Sequence, residues 1–187
     1  MALVRAFGKP DLFVTMTCNP KWEEIARELK PGQAANDRPD LIARVFRIKL
    51  DGLLNDFRKT GVLGRVVACV HVVEFQKRGL PHAHILLILA PEDVPRTPAD
   101  IDLIVSAELP DPATHPRLFA IVTTCMLHGP CGGVNPNMAC MEGNHCTKDF
   151  PKPFQERTVM NPDGFPTYRR RDNGRTFTRR VAAHVDT

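Results

Sequence analysis

The sequence predicts an α+β fold: a central antiparallel sheet flanked by helices, extended by a Cys/His-rich, metal-stapled segment and a basic C-terminal hairpin. Three observations predict it. Two β-rich runs, residues 65–76 and 82–90, are joined by a loop short enough for an antiparallel hairpin. An earlier strand-like run is separated from that hairpin by two segments of helical periodicity. Beyond them, four cysteines and two histidines crowd into residues 125–146, where apolar periodicity fades. With 187 residues, 43% of them hydrophobic, the chain is long enough to bury a core.

The elements follow in order. Residues 12–17 alternate, with Leu12, Val14 and Met16 on one face and Phe13, Thr15 and Thr17 on the other, as a strand does. Asn19-Pro20 predicts a helix start, continued by Trp22, Ile25, Ala26 and Leu29 and ended by Pro31-Gly32. A longer helix runs over 39–59, where Leu41, Ile42, Val45, Phe46, Leu50, Leu53, Leu54 and Phe57 make one apolar stripe and Gly61 is the stop. The two strands of the hairpin are expected at the centre of the sheet. Thr97-Pro98 opens a short helix reaching about residue 109, and Pro116 opens another that ends near Met126. Residues 128–154 read as loop, and residues 165–180 as a basic hairpin turning at Asn173-Gly174. The expected division is a core over 1–127, a Cys/His segment over 128–154 and a basic hairpin and tail over 155–187.

Composition excludes several classes. The longest apolar run, residues 85–90, falls far short of the roughly 20 residues of a membrane helix. The opening MALVRAFGKPD has no signal-peptide apolar region, so a soluble intracellular protein without membrane partners is expected. The net charge of +4 lies entirely in residues 148–187, because the rest balances its acids and bases. No Gly-x-x-x-x-Gly-Lys-Ser/Thr pattern occurs, so ATP-driven unwinding by this chain has no support.

His82-Ala83-His84 projects two imidazoles side by side on one sheet face. Such a pair either packs and meets water or forms half of a metal site. Glu74, on the preceding strand, becomes a third, oxygen ligand if the register sets it opposite the histidines. Two histidines and a carboxylate leave open positions on a divalent cation, which can polarise a phosphodiester oxygen. His71 points to the other face and reads as a core histidine. Lys77 and Arg78 would sit at the rim of the site and bind flanking phosphates.

His128, Cys131, Cys140 and Cys146 have the spacing H-x2-C-x8-C-x5-C, one imidazole and three thiolates, a set suited to a structural, tetrahedral zinc. Cys125 and His145 are rival ligands. In the tail, Arg157, Arg169, Arg170, Arg171, Arg175, Arg179 and Arg180 interleave with Phe165, Tyr168 and Phe177. That pattern reads either as a solvated face or as a surface that attracts phosphates and stacks unpaired bases.

The strings FVTMTCNPKWEEI (13–25), HVVEFQKRGLPHAHILLIL (71–89), HGPCGGVNPNMAC (128–140) and FPKPF (150–154) resemble the helicase-like N-terminal domain of Helitron transposases. These are HUH endonucleases, similar to rolling-circle replication initiators, and the resemblance runs from about Phe7 to Arg171. It implies an HUH nuclease-like sheet, magnesium or manganese at His82, His84 and Glu74, single-stranded DNA as partner, a helicase domain in cis, and action in the nucleus. Thr15, Thr17 and Asn19 match the family's first motif and are expected to contact DNA, although helix capping also accounts for Asn19. The family's nucleophilic tyrosine and phosphate-binding loop lie further on, and this sequence reaches Thr187 before either. Tyr168, the single tyrosine, matches a segment before the catalytic motif, so it reads with Arg169, Arg170 and Arg171 as a structural or DNA contact. The expected activity is nicking and strand transfer of single-stranded DNA within a larger enzyme. Two rivals are a zinc-organised DNA-binding module without catalysis and a metal-dependent phosphodiesterase that uses water.

Overall fold

The computed structural model describes residues 2–76, 79–162 and 164–178. The chain divides into two compact units, residues 1–95 and 96–187, so the Cys-rich stretch shares a unit with the short helices before it.

The first unit runs α1 (Ala2–Phe7), β1 (Leu12–Thr17), α2 (Glu23–Ala26), α3 (Pro39–Asn55), β2 (Val66–Phe75) and β3 (Pro81–Leu89). Its antiparallel sheet has the order β1-β3-β2. The hairpin forms as the sequence predicts, but only β3 is central. β1 takes the free edge of β3, leaving β2 at the border of this sheet.

Period-two alternation splits β3 into two faces. Ala83, Ile85, Leu87 and Leu89 are buried against Ile42, Val45, Phe46, Leu50 and Leu54 of α3. Full burial of each large aliphatic chain contributes about 1.5–3 kcal/mol. A π-helical turn, Asp56–Thr60, carries Phe57 into the same core, and Gly61 ends it with φ 64°. Leu12, Val14 and Met16 of β1 pack on that core from the strand side.

The helix expected from Asn19-Pro20 starts later. Asn19 Oδ1 accepts from the Lys21 amide at 2.9 Å, closing a local turn, and α2 begins at Glu23. Tertiary packing explains the delay: Trp22 stays extended (φ −56°, ψ 139°), its ring 6.5 Å from that of Phe46 and under the Lys49 ammonium.

The second unit holds α4 (Pro98–Ile104), α5 (Pro116–Ile121) and two-residue strands β4 (Met141–Glu142), β5 (His145–Cys146), β6 (Val159–Met160) and β7 (Pro166–Thr167). Thr97 caps α4 reciprocally: its Oγ1 accepts from the Asp100 amide, and Asp100 Oδ2 accepts from the Thr97 amide. A π-helical turn, Val122–Met126, continues α5 toward His128. The basic hairpin is displaced from its expected place. β6 pairs with β7, with the Gly164 amide donating to the Asn161 carbonyl between them, while Asp172 and Asn173 close side-chain turns onto Gly174 and Arg175. Side-chain oxygens meet those amides, a local alternative to strand pairing. Arg179 and Arg180 lie outside the described residues.

Arginine–carboxylate pairs organise this part of the second unit. Arg171 grips Glu108 through Nε and Nη2 at 2.8 and 3.0 Å, its amide donates to the same carboxylate, and Arg169 Nη1 lies 3.1 Å from Asp102. Buried Thr158 links them: its hydroxyl donates to Asp102 Oδ1 and accepts from the Arg169 amide. Arg171 beside Glu108 holds that carboxyl down at about 2. A depressed folded-state value means stability that is present above the usual carboxylate range and lost as pH falls toward 2. With Arg171 half exposed, screening limits the contribution to about 1–2 kcal/mol. Denaturant melts between pH 5 and 2.5 should show the wild type losing that much more than Glu108→Gln. Parallel pH curves would refute it.

Candidate metal centres

β3 positions the histidine pair. His82 and His84 emerge on the face opposite Ala83 and Ile85, with ring centroids 4.8 Å apart and planes at 32°. The hairpin register sets Glu74 opposite His82 and Val72 opposite His84, the condition on which a third ligand depended. Glu74 Oε2 lies 3.6 Å from His84 Nε2. On the other flank, β1 sets Thr17 opposite His82 and Thr15 opposite His84. Thr17, His82 and Glu74 thus form one row across the face, and Thr15, His84 and Val72 the next.

Each imidazole has its own surroundings. His82 Nδ1 accepts from the Gln76 amide nitrogen at 3.0 Å and lies 3.3 Å from Thr17 Oγ1. The His84 ring stacks on Phe13, with centroids 5.4 Å apart and planes at 7°, while its buried Nδ1 has no hydrogen-bond partner among the described residues. His71 pairs with Ile85 in the register, on the core-facing side. Lys77 and Arg78 lie outside the described residues.

Among the described residues, the group whose ligand atoms converge as they stand is His128, Cys131, Cys140 and Cys146, all within 4.8 Å of one another. Local turns bring them together. β4 and β5 form a tight hairpin through Gly143 (φ 59°), with Cys140 just before it and Cys146 closing it. His128 Nε2 reaches Cys140 Sγ at 3.3 Å and Cys146 Sγ at 3.5 Å, and its ring stacks on Phe150 at 4.1 Å. Cys131 joins from the knuckle that starts at His128.

Zinc–sulfur bonds of about 2.3 Å and zinc–nitrogen bonds of about 2.0 Å put tetrahedral ligand atoms somewhat closer together, so a small contraction completes the cage. The donor set fits zinc. Burial pushes the Cys131 thiol up to about 11, with help from Cys146 and Cys140. Burial also raises Cys146, but amides of Phe150 and Lys148 and the neighbouring thiols outweigh it and leave this thiol below its ordinary value. Of the rival ligands, Cys125 is exposed and outside the cluster, and His145 Nε2 turns to Asp149 Oδ1 at 3.4 Å.

The basic stretch divides its arginines by partner. Arg169 and Arg171 are held by Asp102 and Glu108, and Arg175 by Asp111 at 3.0 Å. Arg170 lies 5.3 Å from the Phe154 ring centroid and donates to the Lys152 carbonyl. Tyr168 is 37% exposed, while Phe177 packs edge-on against Phe119.

Sequence reasoning overlooked Gln76, although alternation from Glu74 already placed it beside the histidines. It also overlooked Asp102 and Glu108, which no local pattern connects to arginines more than 60 positions away, and Thr158, whose partner Asp102 lies 56 positions before it. No helix among the described residues is long and apolar enough to cross a membrane.

No curated protein matches the chain. The strings at 128–140 and 150–154, which also carried the family resemblance, lie beyond the residues that a family model matches. That model, described as the Helitron helicase-like domain at the N-terminus, matches residues 1–87, the stretch that contains Glu74, His82 and His84.

Proposed function

We propose that the first unit binds single-stranded DNA at a divalent cation, magnesium or manganese, held by His82, His84 and Glu74, as the strand-handling domain of a Helitron-type transposase. The observation that carries this reading is the register: both histidines and Glu74 share one sheet face, with Thr15 and Thr17 in the same rows. A cation held there supplies polarisation of a phosphodiester oxygen. The protein's own groups do the rest. His82 and His84 are fixed on a strand whose other face is buried, Glu74 adds a negative oxygen, and Thr15 and Thr17 offer hydroxyls to a DNA strand crossing the sheet.

Lys77 and Arg78 are proposed as further DNA contacts of the first unit, and Tyr168, Arg169, Arg170 and Arg171 as contacts of the second unit, where Arg169 and Arg171 would have to exchange Asp102 and Glu108 for phosphate; the Cys/His cluster serves as a structural zinc staple. Nicking and strand transfer require a nucleophile in addition to this face, and a helicase domain in cis is its proposed partner. Tyr168 is partly exposed and directly precedes Arg169 in the chain, which supports a contact role for it. The convergence of the Cys/His ligands favours one rival, a zinc-organised binding module without a catalytic ion.

Metal analysis, with manganese titrated into wild type and His82→Ala/His84→Ala while single-stranded DNA binding is followed, separates the two. The expected result is one zinc retained in both proteins, and manganese-dependent DNA binding weakened about tenfold or more in the double variant. DNA binding indifferent to manganese and to the substitutions would leave the binding module. Labelled DNA transferred onto Tyr168 would overturn its contact role. Turnover to free 3′-hydroxyl and 5′-phosphate ends would point to water as nucleophile.

A further inference from the structure

We infer that Gln76 is a positioning residue for His82, holding Nδ1 so that Nε2 faces the cation. This rests on the metal reading above. Gln76 follows β2 and shares a face with Glu74 by alternation. Its amide nitrogen is 3.0 Å from His82 Nδ1, and Thr17 Oγ1, arriving from β1, is 3.3 Å from the same atom. Two strands therefore place polar groups on one ring nitrogen and leave the other unclaimed by either.

The chemistry of the amide suits both states of the ring. With the Gln76 –NH2 donating to Nδ1, the neutral imidazole carries its proton on Nε2. To ligate through Nε2, the ring must move that proton to Nδ1, a tautomer change with no net proton lost. Nδ1–H then needs an acceptor. Rotation of the Gln76 amide by half a turn presents its carbonyl oxygen, and the Thr17 hydroxyl oxygen can accept as well. A glutamine serves the free and the loaded ring, a glutamate only the Nδ1–H ring, and a leucine neither. Outer-shell partners of this kind fix the orientation and tautomer of a metal-binding histidine.

The test compares the full-length wild-type chain with Gln76→Leu, Gln76→Glu and Thr17→Val. Ring nitrogen chemical shifts of His82 report the tautomer without metal, and manganese affinity is measured separately. Wild type should show the Nε2–H form, Gln76→Leu a mixture of tautomers, and Gln76→Glu an Nδ1-protonated ring. Manganese affinity should fall about 10–100-fold in Gln76→Leu, less in Thr17→Val, and return to within a few-fold of wild type in Gln76→Glu. Unchanged zinc content and melting show that each variant folds. A His82 tautomer unmoved by Gln76→Leu, or a Gln76→Glu affinity as poor as that of Gln76→Leu, would overturn the inference. Manganese binding by wild type that ignores the histidine pair would sink the parent reading, and the metal-free tautomer comparison would still decide whether Gln76 sets the ring.

Discussion

Removing zinc is expected to unfold residues 128–150 while the core of residues 1–95 stays folded. Among the described residues of this segment Cys146 alone is buried, and the regular structure is a pair of two-residue strands. Apolar burial at about 25 cal/mol per Å² has little area to act on, so the segment must be ordered by something else. Four converging ligand atoms provide it. A structural zinc in such a set contributes on the order of 10 kcal/mol to folding the residues that hold it. Limited proteolysis before and after chelation should show new cleavage within 128–150, reversed by added zinc. Cys140→Ser should behave like the chelated protein even with zinc present. Protection that persists once metal analysis shows the zinc gone would refute the claim. The sign of the pH effect also follows. Cys131, pushed up to about 11 by burial and its neighbours, holds its proton in the metal-free chain. Loading therefore releases a proton, and zinc affinity must weaken as pH is lowered.

The sequence made some features plain because one local rule decided each. Residues 12–17 alternate so cleanly that β1 occupies the predicted span, and the apolar stripe of 39–59 can be satisfied only by a helix with one buried face. The Thr97–Asp100 spacing is itself a capping box, so the start of α4 was readable too. The Cys/His cluster was legible for a similar reason: the ligands are close in sequence, and the intervening glycines and prolines can only form turns.

What stayed hidden depends on long-range pairing. Parity puts Glu74 on a face of β2, but it cannot say whether β1 pairs with β2 or with β3, and so the central strand was ambiguous. The arginines near 170 read as free phosphate-binding charge because nothing local ties them to Asp102, Glu108 and Asp111. In the structure those carboxylates occupy Arg169, Arg171 and Arg175. The tight turns at Asp172 and Asn173 were visible as turn residues. Their effect, breaking the expected hairpin there, depended on β6 and β7 pairing earlier in the chain.

Neighbouring positions on β3 should separate fold from function. Ile85 is fully buried between the sheet and α3, and Ile85→Ala should cost about 2–5 kcal/mol of stability, the lost transfer energy plus the cavity left behind. His84→Ala, one residue away on the opposite face, should change stability far less. It removes the stack on Phe13, about 0.5–1.5 kcal/mol, but also relieves a buried Nδ1 that lacks a partner among the described residues, a cost of about 1–3 kcal/mol. The two terms oppose each other and are both small, so His84→Ala should melt within a few degrees of wild type, yet lose manganese-dependent DNA binding. Ile85→Ala should melt well below wild type and, below its own transition, retain manganese binding. Thermal melts paired with manganese titration read both properties on the same samples. A His84→Ala protein as unstable as Ile85→Ala would mean that the exposed face supports the fold, and the case for His84 as a ligand would lose its physical basis. Equal manganese binding by His84→Ala and wild type would exclude His84 as a ligand directly.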